Sequence, residues 1–157
     1  RDRRFGTGAD LVPRACPTHH ADERPRLVDQ LAVARRDVRR VTLVRREVAL
    51  AQATLLTTYP ELGSAAETAA FRRLSAQVRL TRYGLDCYAY ALLALGQVDL
   101  VVEAGLQPHD IVAPIAVIEA AGGIVTDWQG GPAHHGGQVI AAATPALHRA
   151  ALALLAG

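Results

Sequence analysis

The residues from Asp99 to Trp128 leave this chain little choice of architecture. Leu100, Val101 and Val102 form a short apolar run of buried-strand type, ending on an acid, Glu103, and a breaker, Gly105. Pro108 stands where a first-turn helix residue belongs, and Asp110 follows where a carboxylate faces the positive end of a helix. Ile111, Ile115 and Ile118 mark one helical face. Gly122 and Gly123 stop that helix in the manner of a left-handed cap, and Ile124, Val125 and Thr126 open another strand. The order is strand, acidic loop, helix, double glycine, strand. In open α/β sheets ligands bind at the carboxyl ends of strands, where Glu103 and Asp110 stand. Spacing alone favours a plainer reading, in which Asp110 caps a helix and Glu103 is a solvated loop acid.

The flanking sequence repeats the alternation. Val41–Val44 and Ala53–Tyr59 have strand character, the latter through Thr54-Leu55-Leu56-Thr57-Thr58. Ser64 with Glu67 three residues on predicts a capping box for a helix over Ser64–Gln77. A strand is expected over Val78–Tyr83. A helix follows, with Asp86 as its N-cap or in its first turn and Gly96 as its stop. That helix is apolar nearly all round, which predicts deep burial. Further strands are expected at Val98–Val102, Ile124–Asp127 and Val139–Ala143, with helices over Pro108–Ala121 and Pro145–Leu155. From residue 53 the pattern is β-α-β-α-β-α-β-β-α, an α/β layered fold with a mostly parallel sheet. His134 and His135 fall in a Gly/Pro-rich stretch and are expected in an exposed hairpin loop rather than a metal site.

Residues 1–40 differ from the rest. They are rich in Arg, Pro, His and Asp, a bias that a shifted reading frame of GC-rich DNA also gives. They are expected to be an irregular segment, non-native or disordered, with at most a short helix near Arg26–Val38. Residues 41–157 form the α/β domain. All 17 basic residues are Arg, 12 of them with 6 acids in residues 1–46, while residues 47–157 hold 5 Arg and 9 acids. So uneven a balance, with no aromatic besides Phe5 in the basic part, argues against a nucleic-acid binder. Cys16, His19, His20 and Asp22 match no zinc-ligand spacing. Two distant cysteines define no disulfide framework, which fits a reducing, cytoplasmic setting. No apolar run reaches membrane-spanning length.

The residues carry a specific likeness. Glu103-Ala-Gly-Leu-Gln-Pro-His-Asp110, followed by Glu119-Ala-Ala-Gly-Gly123, resembles the second signature of the inositol monophosphatase family. Leu56-Thr57-Thr58-Tyr59-Pro60-Glu61, Arg82-Tyr83-Gly84-Leu85-Asp86-Cys87-Tyr88-Ala89-Tyr90 and Val139-Ile140-Ala141-Ala142 look like its histidinol-phosphatase branch. The likeness covers roughly residues 40–157, the carboxyl-terminal half of a family member. It implies an incomplete αβαβα sandwich, a homodimer, and Mg²⁺-dependent hydrolysis of a small phosphate monoester. It further implies that Asp110 binds metal and substrate, and that Gly84, Leu85, Asp86 and Glu103 contact substrate. No side chain of this chain matches a catalytic residue of the family.

The chemistry suits these types. Mg²⁺ takes hard oxygen ligands, and a pair of ions can activate water for in-line displacement. Asp86 and Glu103 would hold a cationic amino-imidazole by charge-assisted hydrogen bonds, whereas a neutral polyol gains less from Asp86. Histidinol phosphate is therefore the expected substrate. Inositol 1-phosphate, or another small phosphate ester, is the alternative. His109 stands where the family has Trp or Tyr, and Pro114 lies within the predicted helix. The family's first signature, Asp-Pro-Ile/Leu-Asp-Gly-Thr, has no counterpart in residues 1–50, where Phe5 precedes Gly6-Thr7 in place of the acid. The expectation is a truncated or frame-disrupted form that lacks that motif. A binding domain that keeps the fold without the chemistry is a further alternative.

Overall fold

The computed structural model describes Val44 and residues 48–157. The expected segment 1–40, its short helix, the Cys16/His19/His20/Asp22 group and all but the last residue of the Val41–Val44 strand lie outside the described residues. A short 3-10 turn, Leu50–Gln52, leads into β1, Thr54–Thr57. Then come α1 (Ala65–Ser75), β2 (Leu80–Tyr83), α2 (Cys87–Ala94) and β3 (Leu100–Leu106). The remaining elements are α3 (Pro108–Ala120), β4 (Ile124–Thr126), β5 (Gly137–Ala142) and α4 (Pro145–Ala156).

The strands form one mixed sheet in the order β2-β1-β3-β5-β4. β1 pairs in parallel with β2 and β3, while β5 runs antiparallel to both of its neighbours, β3 and β4. Four of the five strands therefore point the same way. The period-2 alternation of strand side chains divides the core in two. Leu55, Leu100, Val102, Ile140 and Ala142 face α1 and α4, together with Phe71, Leu74 and Leu147. Leu56, Val101, Val139 and Ala141 face α2 and α3, together with Leu93, Ile111 and Ile118. The described residues thus make three layers, helices on either side of one sheet.

Local chemistry sets the element ends. The Ser64 hydroxyl accepts from the Glu67 amide at 3.3 Å, and the Glu67 carboxylate accepts from the Ser64 amide at 2.6 Å, which completes the capping box. Thr144 caps α4 by accepting from the Leu147 amide. The helix α3 runs through Pro114, which has no N–H to offer the Asp110 carbonyl.

Asp86 occupies the N-cap position as expected, with its backbone at φ 42° and ψ −129° and no capping bond from its side chain. One expectation about α2 is corrected. The helix is buried on one side only. Ala89, Tyr90, Leu93 and Ala94 pack inward, while Tyr88 is 57% exposed and Leu95 41% exposed. Its all-round apolarity therefore does not signal a helix enclosed by the described residues.

Candidate active site

The two central parallel strands are clamped at both ends by acids of β3 and its entrance. Asp99 accepts from the Thr54 amide at 2.8 Å where β1 begins. Glu103 does the same where β1 ends. Its Oε1 accepts from the Thr58 amide and the Thr58 hydroxyl, each at 2.8 Å, and its Oε2 accepts from the Thr57 hydroxyl at 3.3 Å. Glu103 is only 3% exposed, so the solvated-loop-acid reading is wrong: it lies within β3 and secures the carboxyl end of β1.

Just past Glu103 the pairing with β5 slips. Glu103 faces Val139, but Leu106 faces Gly137, so β3 carries one extra residue there. That bulge, with Gly105 at φ 81°, bends the end of β3 away and opens a cleft. The chain then turns into α3, where Asp110 reaches back so that its Oδ2 accepts from the Gln107 amide at 2.8 Å. Its Oδ1 lies 3.5 Å from His109 Nε2, and its side chain is 44% exposed. Capping is thus one thing Asp110 does, and its other carboxylate oxygen lies beside the exposed His109 ring.

The other wall comes from the turn between β2 and α2. Gly84, Leu85 and Asp86 have φ of 90°, 78° and 42° in succession. The left-handed region costs a non-glycine residue roughly 1–2 kcal/mol, so two of these three positions are strained. The resulting cleft holds about 390 Å³ and is lined by Thr58, Tyr59, Asp86, Tyr90, Glu103 and Asp110, among others. The structure therefore brings Asp86, Glu103 and Asp110 together. Gly84 and Leu85 shape the turn that carries Asp86 but are not among the lining residues. A larger groove of about 850 Å³ lies on the opposite face, against α1, α4 and Trp128, and contains none of these acids.

Three carboxylates in one cleft make it electronegative. Burial pushes the Glu103 carboxyl above its ordinary range, the Thr58 and Thr57 hydrogen bonds oppose that rise, and the nearby Asp86 charge adds to it. Tyr90, 4% exposed on the inner side of α2, has its phenol pushed upward by burial, then by Glu103 and Asp110. It stays protonated at any physiological pH. Sequence reasoning missed Tyr90 and the two threonines. The Thr-Thr pair at a strand exit could have been found as donors in search of an acid.

A divalent cation of Mg²⁺ type needs several oxygen ligands. Glu103 has both carboxylate oxygens engaged, and Asp110 has one engaged with Gln107. Among the described residues no three His, Cys, Asp or Glu side chains are grouped to hold a metal ion. These residues do not by themselves complete such a site.

The inositol monophosphatase family profile matches residues 19–156. This chain belongs to the inositol monophosphatase family. The chloroplastic bifunctional phosphatase IMPL2 of Arabidopsis thaliana is 54% identical over 81 residues, 52% of this chain and 23% of that protein. An inositol monophosphatase from Zymomonas mobilis superposes with a TM-score of 0.71 at 40% identity, over 74% of this chain and 47% of that one. An inositol monophosphatase from Anabaena gives 0.64 at 27% identity, over 73% and 48%. The matches thus span about half the length of these solved structures and a smaller share of the Arabidopsis protein. The family likeness and the mixed five-stranded α/β sheet agree with the expectation from sequence. No helix of the described residues is long and apolar enough to cross a membrane.

Proposed function

We propose that this chain forms the substrate-recognising part of a divalent-metal-dependent phosphate monoesterase, with histidinol phosphate as its preferred substrate. The observation that carries the reading is the convergence of Asp86, Glu103 and Asp110 on one cleft at the carboxyl ends of β1 and β3. A phosphorylated amine presents a cation at its organic end. Asp86, which makes no capping bond and lines the cleft, offers that cation an unspent carboxylate. Glu103 sits behind it as a fixed acceptor. Asp110, at the amino end of α3, is the residue assigned to Mg²⁺ and the phosphate side. The described residues leave that metal shell incomplete, so hydrolysis is not theirs to perform alone. Gly84 and Leu85 are assigned to hold the turn against the substrate. A homodimer and a cytoplasmic setting remain part of the proposal, resting on the family likeness and the sparse cysteines.

The test is calorimetric titration of the chain with L-histidinol phosphate and with inositol 1-phosphate, in Mg²⁺ and after its removal by chelation. Histidinol phosphate is expected to bind more tightly, and Asp86→Asn to weaken it about tenfold while leaving inositol 1-phosphate little changed. Equal binding of both, indifferent to Asp86→Asn, would refute the specificity. A second reading, a binding domain without catalysis, is favoured by the lack of a three-ligand cluster among the described residues. It predicts binding indifferent to Asp110→Asn and to chelation.

A further inference from the structure

Tyr90 is the one tyrosine of the chain that is buried. Tyr59, Tyr83 and Tyr88 are 67%, 50% and 57% exposed, against 4% for Tyr90. Its hydroxyl is buried with no hydrogen-bond partner among the described residues, and Tyr90 is one of the residues lining the cleft with Asp86, Glu103 and Asp110. A buried hydroxyl left unmade costs free energy, and structures rarely tolerate one without a role. Packing does not demand it, since phenylalanine would fill the same space among Leu56, Leu93 and Ile111 in that core.

We propose that the Tyr90 hydroxyl is a specificity-determining hydrogen-bond donor to the organic portion of the bound phosphate monoester. This rests on the reading of the cleft given above. The three carboxylates can only accept hydrogen bonds when ionised, so they can hold N–H groups but repel lone pairs. Tyr90 supplies the complementary half. Its O–H can meet an unprotonated ring nitrogen or a hydroxyl oxygen on the ligand. The cleft then distinguishes a ligand that carries both a cation and an acceptor from one that carries only the cation. A site built to hydrogen-bond a particular ligand atom discriminates strongly against analogues that lack it.

The experiment compares wild type with Tyr90→Phe by calorimetric titration with L-histidinol phosphate, and by near-ultraviolet difference spectra during the titration. Removing the hydroxyl is expected to weaken binding about three- to tenfold, while the thermal midpoint stays level or rises. The wild-type protein should show a tyrosine difference signal on binding that Tyr90→Phe diminishes and that Tyr88→Phe, exposed and outside the cleft lining, retains. Equal affinity of Tyr90→Phe and wild type overturns the role of Tyr90 and leaves the cleft assignment standing. So does a difference signal that Tyr90→Phe leaves undiminished. Failure of the wild-type protein to bind the ligand at all overturns both. A drop in thermal midpoint with unchanged affinity would make Tyr90 a packing residue only.

Discussion

Glu103 offers the sharpest test of how the cleft is built. It takes three hydrogen bonds from Thr57 and Thr58 while almost wholly buried. A hydrogen bond to a charged acceptor contributes about 1.5–3 kcal/mol, and the cost of burying the carboxylate offsets much of the sum. Glu103→Ala abandons the Thr58 amide and both hydroxyls, so a loss of about 3 kcal/mol is expected. Glu103→Gln keeps an oxygen for Thr58 and asks only the Thr57 hydroxyl to turn and accept. It should cost about 1 kcal/mol or less. The two variants also separate in pH. Because burial raises the folded-state value above the ordinary 4.5, the folded protein holds this proton more tightly than the unfolded chain. That contribution is fully present below pH 4.5 and is lost as pH rises through the raised folded value. Urea denaturation at several pH values between 4.5 and 7 reads both effects. Glu103→Gln should lack the part of the slope that wild type owes to this group. If Glu103→Ala unfolds at the wild-type urea midpoint, the carboxylate does not clamp β1 to β3 and the reasoning fails.

Other outcomes follow from the same geometry. Gly136 has φ 76°, and a side chain there would be driven into the Leu106 carbonyl and within 2.9 Å of the Gln107 carbonyl carbon. Gly136→Ala should therefore cost about 3 kcal/mol or more in urea denaturation and should weaken ligand binding, since the displaced segment leads into α3. A variant as stable as wild type would contradict this close approach. His148 is 5% exposed, and its Nε2 lies 2.7 Å from the Thr126 hydroxyl. Burial, and then the Arg149 charge, lower its pKa, so stability is present above the ordinary 6.5 and is lost as pH falls through the lower folded value. An imidazole NMR titration with a midpoint at or above 6.5 would refute that placement.

The order of elements was legible because periodicity and punctuation coincide. Ser64 with Glu67, Pro108 with Asp110, and Gly122 with Gly123 mark ends that the coordinates place within a residue or two. The direction of β5 was not written in its sequence, since Val139-Ile140-Ala141-Ala142 is equally apolar in a parallel or an antiparallel pairing. Glu103 deceived by type: an acid beside Gly105 has the pattern of a loop, and only its partners, 45 and 46 residues earlier, make it a core residue. Asp86 was legible by position and not by conformation. Its position before an apolar helix is that of a cap, but the positive φ of Leu85 and Asp86 cannot be read from side chains that seldom adopt it. Tyr90 was hidden because an apolar helix gives no sign of which of its polar atoms lacks a partner.

The place of β2 in the sheet has a mechanical consequence. Among the described residues it has β1 on one flank and no strand on the other. Its last residue, Tyr83, leads directly into the turn that carries Asp86. A second chain adding a strand to that open margin would restrain the turn from outside the cleft. Recognition at Asp86 would then respond to assembly, without any new group touching the ligand.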